Sequence, residues 1–225
     1  MPSQGWKDKR VVFEEKMSSL QDTLNQMGGL VEEAIAKSVV ALKEQDTEKA
    51  KMVISGDDII DSTRTKMEEK CMEIIATQQP MAGDLRRVLA FFKIASDLER
   101  MGDYASRIAK ITIRIGTEPL IKPLVDIPHM ALLVQKMVKN SLDAFVREDI
   151  PLASSLARED DDVDKLHAQI FRELLTVMME KPSTISQASH LLFVSSSLER
   201  IADHATNVGE ELIFLITGEQ KSLND

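Results

Sequence analysis

The segment Ser96-Asp-Leu-Glu-Arg-Met-Gly-Asp-Tyr-Ala105 decides the fold, because the chain repeats it as Ser196-Ser-Leu-Glu-Arg-Ile-Ala-Asp-His-Ala205. A shift of 100 residues aligns these two segments. A shift of 103 residues aligns 27–61 with 130–164 without a gap, and ten of these positions are identical. The difference of three residues falls at a proline-marked turn in each copy, where changes of length are tolerated. The chain therefore contains two copies of one unit.

Apolar residues recur at a helical spacing in both copies. Series of apolar residues lie seven positions apart, namely Val53, Ile60, Met67 and Ile74 in the first copy and Leu156, Val163, Ile170 and Val177 in the second. This spacing is typical of the seam between long packed helices. An aromatic content of 4% and only nine glycines disfavour an all-β fold.

Prolines, glycines and capping residues divide this pattern into six predicted helices. Asp46 and Asp149 are expected as N-caps of the second and fifth helices, and Gly218 is expected to end the sixth. The segment 116–128 carries three prolines and a glycine and is the predicted linker between the copies. The helices are predicted at about 11–44, 46–77, 83–115, from the end of the linker to 147, 149–179 and 183–217.

These helices predict an all-α fold of two tandem antiparallel three-helix bundles related by the internal repeat. The first domain is expected to span 1–117, including a short polar tail at Met1–Arg10, and the second to span 118–225. Within one chain the two bundles should carry a pseudo-twofold relation.

The composition disfavours several classes of function. A net charge of −9 makes the chain a poor candidate for binding nucleic acid or an anionic membrane surface. Neither a signal-peptide segment nor an apolar run of membrane-spanning length occurs, so direct membrane insertion is not expected. The single cysteine, Cys71, rules out an intramolecular disulfide and a cysteine-based zinc site. A buried, inert Cys71 and a cytoplasmic location are expected.

Two carboxylate pairs face each other across the first predicted hairpin. Glu99 and Asp103 are four residues apart and share one helix face. Asp61 and Glu99 each lie 19 residues from Pro80, whereas Asp57 and Asp103 each lie 23 residues from it. In an antiparallel helical hairpin, two residues at equal distance from the turn lie side by side at the same level along the helix axes. Asp57, Asp61, Glu99 and Asp103 therefore form a predicted first acidic cluster.

The repeat places an equivalent set in the second copy. This predicted second acidic cluster consists of Asp160, Asp164, Glu199 and Asp203. Four converging carboxylates repel one another unless they are protonated or bridged by cations. Ligands that offer only oxygen suit hard ions such as Mg, Mn, Ca or iron. The alternative is that the acids reflect repeat ancestry and form cross-helix ion pairs with Arg100, Arg200 and Lys165.

Three segments resemble the PhoU family. The segments Leu98–Ala105 and Leu198–Glu210 are similar to the paired E(D)xxxD signatures of that family, and Gln78–Arg86 resembles its turn into the third helix. The resemblance implies a cytoplasmic, non-enzymatic regulator of a phosphate ABC transporter that holds a phosphate-sensing histidine kinase in its repressing state. The implied partners are the transporter's ATPase subunit, the kinase and a second copy in a homodimer. Some family members carry multinuclear metal clusters at these carboxylates.

The first copy departs from the signature at two positions. Tyr104 stands where the second copy has His204, and Arg107 stands where it has Asn207. Because Arg107 is four residues from Asp103, it could pair with that carboxylate. We therefore expect a divalent or ferric cation to bind the second acidic cluster more tightly than the first.

Two other functions stay open from the sequence. The same fold could serve as an accessory protein of a different phosphate or metal-phosphate transporter. A metal-dependent phosphohydrolase is the third candidate, although the clusters lack a positioned nucleophile, histidine base or phosphate clamp. A ferritin-like oxidase would need two Glu-x-x-His motifs. The nearest match is the single Asp164-Lys-Leu-His167, which has Arg64 at the histidine's equivalent position.

Overall fold

The computed structural model describes residues 4–224, and within that range the chain is all-α, as predicted. Six long helices and one 3₁₀ turn at Pro182–Thr184 make up the described range, which contains no strand. The helices are α1 (Gln4–Glu44), α2 (Thr47–Gln78), α3 (Gly83–Ile115), α4 (Asp126–Arg147), α5 (Ile150–Glu180) and α6 (Ile185–Thr217). Each copy of the repeat supplies three of them.

The predicted caps are confirmed. Asp46 accepts hydrogen bonds from the backbone N–H groups of Glu48 and Lys49, both at 3.0 Å. Asp149 accepts one from the Leu152 N–H at 2.9 Å. These bonds satisfy backbone donors that the first helical turn leaves free. Gly218 ends α6 in the left-handed region, with φ at 76°, which glycine adopts without steric strain.

Two predicted boundaries are wrong. Helix α1 begins at Gln4 and not near Val11, so the predicted polar tail is helical from residue 4, while residues 1–3 lie outside the described range. Apolar periodicity marks only the packed part of a helix, and the polar first turns of α1 carried no such signal. Helix α4 begins at Asp126 and takes Pro128 into its first turn, where the missing N–H of a proline has no intrahelical partner to lose.

The predicted heptad seams lie in the core. The residues of the first seam are buried, as are Leu156, Val163 and Ile170 of the second, while Val177 is half-buried. Cys71 is buried as expected, and burial raises the pKa of its thiol to about 11. Buried residues of both copies form one continuous hydrophobic cluster. The domain boundary at residues 117 and 118 stays a prediction.

The two copies meet between equivalent positions. Along α3 and α6, the rings of Tyr104 and His204 lie 5.9 Å apart between centroids. Between α1 and α4, the Gln135 side chain donates to the Glu32 carbonyl at 3.1 Å. These pairs are related by the shifts of 100 and 103 residues. Contacts between positions that are equivalent in the repeat are what a pseudo-twofold relation requires near its axis, so these two contacts agree with the expected relation.

The helices differ from membrane-spanning segments. In the described range, every helix is either too short or too polar to cross a bilayer.

Candidate metal centre

The first acidic cluster lies where α2 and α3 pack closely. A Cβ atom on Gly102 would lie 3.3 Å from Asp57 Oδ1, so this glycine lets the carboxylate approach α3. Burial raises the pKa of Asp57; the nearby Ser106 hydroxyl opposes this rise, and the Asp103 carboxylate adds to it. Burial, followed by the charge of Asp103, also raises the pKa of Glu99. The hairpin therefore brings these acids within electrostatic range of each other, as their equal heights predicted.

The second acidic cluster contains a carboxyl group, that of Asp160, whose pKa is strongly raised. Asp160 is only 6% exposed, and its Oδ1 atom is buried without a hydrogen-bond partner among the described residues. Burial raises the pKa of Asp160 to about 7, with further contributions from the Asp164 and Asp203 carboxylates. Burial and the Asp203 charge raise the pKa of Asp164 as well. Near neutral pH this cluster therefore shares protons or needs a cation.

The carboxylate oxygens of the clusters are ligands that a hard cation prefers, but the side chains do not surround a common point. An orphaned carboxylate oxygen among like charges is the environment that a bound cation would relieve. Within the described part of the chain, however, no three Asp, Glu, His or Cys side chains are arranged as ligands around one point. A cation would have to draw the carboxylates together by rotation of their side chains. The eight cluster residues as metal ligands therefore stay a prediction.

The ion pairs expected across the helices do not form among the described residues, because the basic side chains pair within their own helices. Arg100 donates to Asp103 at 3.2 Å and Arg200 donates to Asp203 at 3.1 Å, each three residues along the same helix. Both arginines are more than half exposed, so each pair contributes little to stability. Lys165 does not reach its cluster and instead contacts Asp162 at 3.4 Å.

The expected compensation of the first cluster by Arg107 is wrong. The Arg107 guanidinium lies over the ring of Tyr104, 4.9 Å from its centroid, and makes no ion pair with the side chains described at 10–224. Other cations serve this cluster. The charge of Arg100 and then that of Arg64 offset part of the rise in the pKa of Glu99. The charge of Lys110 offsets part of the rise in the pKa of Asp57. Arg64 also pairs with Glu68 at 2.9 Å. The first cluster thus has built-in cations, although not the one expected.

His167 occupies the position of Arg64 in the second cluster. Its Nδ1 atom lies 3.1 Å from the Ser195 hydroxyl, and its Nε2 atom lies 4.0 Å from Glu199 Oε2. A neutral imidazole is a metal ligand, whereas a guanidinium is not. The sequence indicated this difference, because the 103-residue shift places Arg64 and His167 at equivalent positions. The predicted asymmetry between the clusters therefore has a structural basis in this pair of residues.

His204 and Asn207 belong to the contact between the copies. His204 Nδ1 lies 2.9 Å from Asp97 Oδ1, and the Asn207 amide donates to the same oxygen at 3.3 Å. Both side chains therefore point toward α3 of the first copy and away from the second acidic cluster. The sequence carried no signal for this partner of His204.

Comparison with known families identifies the repeat. The model of the PhoU domain matches twice, at residues 24–112 and 127–212. This chain belongs to the PhoU family. Each matched stretch contains all four carboxylates of one acidic cluster. The PhoU domain is thus the unit that the internal repeat duplicates.

Curated PhoU relatives cover nearly the whole chain. The phosphate-specific transport system accessory protein PhoU homolog of Clostridium acetobutylicum is 42% identical over 217 residues, which span 96% of this chain and 99% of the relative. The homolog of the same description from Aquifex aeolicus is 44% identical over 204 residues, covering 91% of this chain and 92% of the relative. The chain therefore has the length and domain content of these PhoU proteins.

Solved PhoU structures share the fold. The crystal structure of PhoU from Pseudomonas aeruginosa is 39% identical, has a TM-score of 0.88 and is matched over 92% of this chain and 100% of that one. The phosphate transport system regulatory protein PhoU from Streptococcus pneumoniae is 30% identical, with a TM-score of 0.87 and coverage of 93% and 99%. The two three-helix units and their relative arrangement are therefore those of PhoU proteins.

Proposed function

We propose that this protein is a cytoplasmic accessory regulator of phosphate-specific transport that restrains phosphate uptake and phosphate-starvation signalling. In this role it acts as an adaptor between the ATPase subunit of the phosphate ABC transporter and a phosphate-sensing histidine kinase. It works as a homodimer and catalyses no reaction of its own.

One observation carries this proposal. Relatives that match both PhoU domains along almost the full chain are named accessory proteins of the phosphate-specific transport system. A regulatory role agrees with the name of the structural neighbour from Streptococcus pneumoniae, which is a regulatory protein of phosphate transport. These names support an accessory role over an enzymatic one. The kinase, the ATPase contact and the homodimer rest on the family resemblance.

The acidic clusters supply the cation site of the proposal. Asp160, Asp164, Glu199 and Asp203 would hold a divalent or ferric cation, singly or in a multinuclear group, and His167 lies beside them. The cation would offset the charge of carboxylates that burial and mutual repulsion destabilise. The first acidic cluster binds the same ions more weakly, because the Arg64 guanidinium, where the second cluster has His167, already offsets part of the negative charge near Glu99.

The proposed function is tested by deletion in a host with an intact phosphate transporter. Loss of this protein should derepress a phosphate-starvation reporter in phosphate-rich medium, and the wild-type gene should restore repression. Unchanged repression in the deletion strain would contradict the regulatory role. Crosslinking in cells before purification should recover the transporter's ATPase subunit. Recovery of a different phosphate or metal-phosphate transporter would favour the second candidate.

The phosphohydrolase candidate has its own test. Purified protein loaded with Mn²⁺ would have to hydrolyse a generic phosphoester, and Asp203→Ala would have to abolish that turnover. Lys66→Ala, at an exposed position outside both clusters, is the matched control. We expect no turnover above the rate of the metal in buffer. A turnover that depends on Asp203 but not on Lys66 would replace the regulatory proposal with the enzymatic one.

A further inference from the structure

The C-terminal tail of the chain covers a cleft between the two copies. After α6 ends, residues 218–224 fold back, and the Leu223 N–H donates to Glu210 at 2.7 Å. The Leu223 side chain packs on the core beside Gly209, where an added Cβ would lie 3.3 Å from Leu223 Cδ1. The cleft has a volume of about 590 Å³ and lies between the first half of α3, the second half of α6 and this tail.

Acidic side chains of two helices line this cleft. Asp97, Glu210 and Glu211 line it from the two helices, and Lys221 of the tail lies at its edge. Lys93 on α3 pairs with Glu211 at 2.8 Å and lies over the ring of Phe214. A non-helical segment that carries Glu219, Lys221 and Leu223 therefore lies on an acidic cleft within this molecule, held by the backbone and side chain of Leu223.

The surface of the first copy that is equivalent to this cleft by the 100-residue shift has the opposite charge. The 100-residue shift replaces Asn207, Glu210 and Phe214 of α6 by Arg107, Lys110 and Arg114 of α3. It also replaces Asp97 by Ser197 and Lys93 by Phe193, which is 62% exposed. The three acids of the tail-covered cleft have no acidic counterpart here. We name Arg107, Lys110 and Arg114 the basic stripe.

The basic stripe is exposed and concentrated. Its three residues are exposed and lie within the last three turns of α3, so about 10 Å of helix carries three positive charges. None of them forms an ion pair with the side chains described at 10–224, although Arg107 stacks on Tyr104. The chain as a whole has a net charge of −9. Such a local reversal of charge is what steers an acidic partner to one place on an acidic protein.

We propose that the basic stripe is the docking surface for an extended acidic peptide segment of a partner protein. The segment lies on α3 as the chain's own tail lies on α6, with acidic side chains in place of Lys221 and an apolar side chain toward Phe193. This inference deepens the proposed function and rests on it for the identity of the partner. Electrostatic complementarity supplies the recognition, so binding weakens as salt rises.

The test uses a defined peptide and full-length protein. The probe is a fluorescein-labelled peptide of twelve residues that is rich in Asp and Glu and contains one Leu, and binding is followed by fluorescence anisotropy at 50 and 300 mM NaCl. We expect binding that weakens at least fivefold at the higher salt. Arg107→Asn/Lys110→Gln/Arg114→Gln should weaken binding at least tenfold.

A matched variant separates the stripe from overall charge. Arg158→Gln/Arg172→Gln/Lys181→Gln removes the same three charges from exposed positions spread along α5 and its end, and it should change the affinity less than twofold. Circular dichroism verifies that the variants are folded. If the triple variant of the stripe is unfolded, Arg107→Asn alone replaces it, and its affinity for the peptide should be at least twofold lower than that of the wild type.

Three outcomes overturn the proposal: no peptide binding, equal weakening by both triple variants, or tighter stripe-dependent binding of polyphosphate or of anionic vesicles than of the peptide. Because the assay requires no transporter, failure here with intact repression in cells contradicts only the docking surface.

Discussion

Replacing Asp160 by Asn should stabilise the protein at pH 8 when no cation is present. The carboxyl is 6% exposed and its pKa is raised from 3.8 to about 7 by burial and by the neighbouring carboxylates. The folded state therefore holds a proton between about pH 4 and 7 that the unfolded chain has released. Stability must fall as the pH rises through that window, and the loss is complete above pH 7. A neutral side chain removes this loss.

The size of the effect follows from the pKa. A rise from 3.8 to about 7 corresponds to about 4 kcal/mol at most, since each unit is worth about 1.4 kcal/mol. The amide of Asn brings its own buried polar group, so we expect a gain of about 2 kcal/mol. For a chain of this size that is a rise in melting temperature of roughly 4–8 °C at pH 8. At pH 5 the unfolded chain has released this proton but the folded state still holds it, so only about 1.6 kcal/mol of the loss is present. The cost of the buried amide about cancels this amount, and no net gain is expected at pH 5.

The assay is thermal unfolding by circular dichroism in EDTA at pH 5 and pH 8. Asp162→Asn is the control, since it removes the same charge from an exposed side chain on the same helix. The control should change the melting temperature by less than about 1 °C at either pH. An equal gain for Asp160→Asn at both pH values, or none at pH 8, would refute the reasoning that burial of a charged carboxylate limits stability.

Three further changes test other parts of the structure. A cation at 100 times its dissociation constant should add about 2.7 kcal/mol to the stability of the wild type. When Mn²⁺ is added, the melting temperature of Asp203→Asn should not show this gain, whereas that of Asp103→Asn should. Gly209→Ala should destabilise the protein by about 1–3 kcal/mol, because the added Cβ would lie 2.8 Å from Leu156 Cδ1; an unchanged urea midpoint would show that the side chain moves aside. Cys71, buried and with its pKa raised to about 11, should resist iodoacetamide until urea unfolds the chain, as mass spectrometry would report.

The features that the sequence predicted are those with a local or periodic cause. The caps at Asp46 and Asp149 depend on the first turn of one helix, and the buried seams depend on a seven-residue period. The facing carboxylates depend on equal distances from a turn, which the antiparallel hairpin preserves. Each of these relations holds within a single helix or hairpin, so no knowledge of the complete fold was needed.

The features that the sequence did not predict depend on which of several possible partners a side chain contacts. Arg107 had two possible partners within one helical turn, and its stacking on Tyr104 prevails over a pair with Asp103. The contact of His204 with Asp97 joins residues 107 positions apart, across the interface of the two copies. Helical periodicity places a side chain on a face of its helix but does not say which distant element covers that face.

The differences between the two copies predict that cation binding and peptide docking can be separated by mutation. The second copy has His167 where the first has Arg64 beside its acids, and the first copy has the exposed basic stripe where the second is covered by its own tail. Asp203→Asn should therefore reduce the melting shift with Mn²⁺ and leave the affinity for the acidic peptide within twofold. Neutralising the basic stripe should do the reverse. If either variant changes both measurements, the ion site and the docking surface act as one unit, and the division of roles between the copies is wrong.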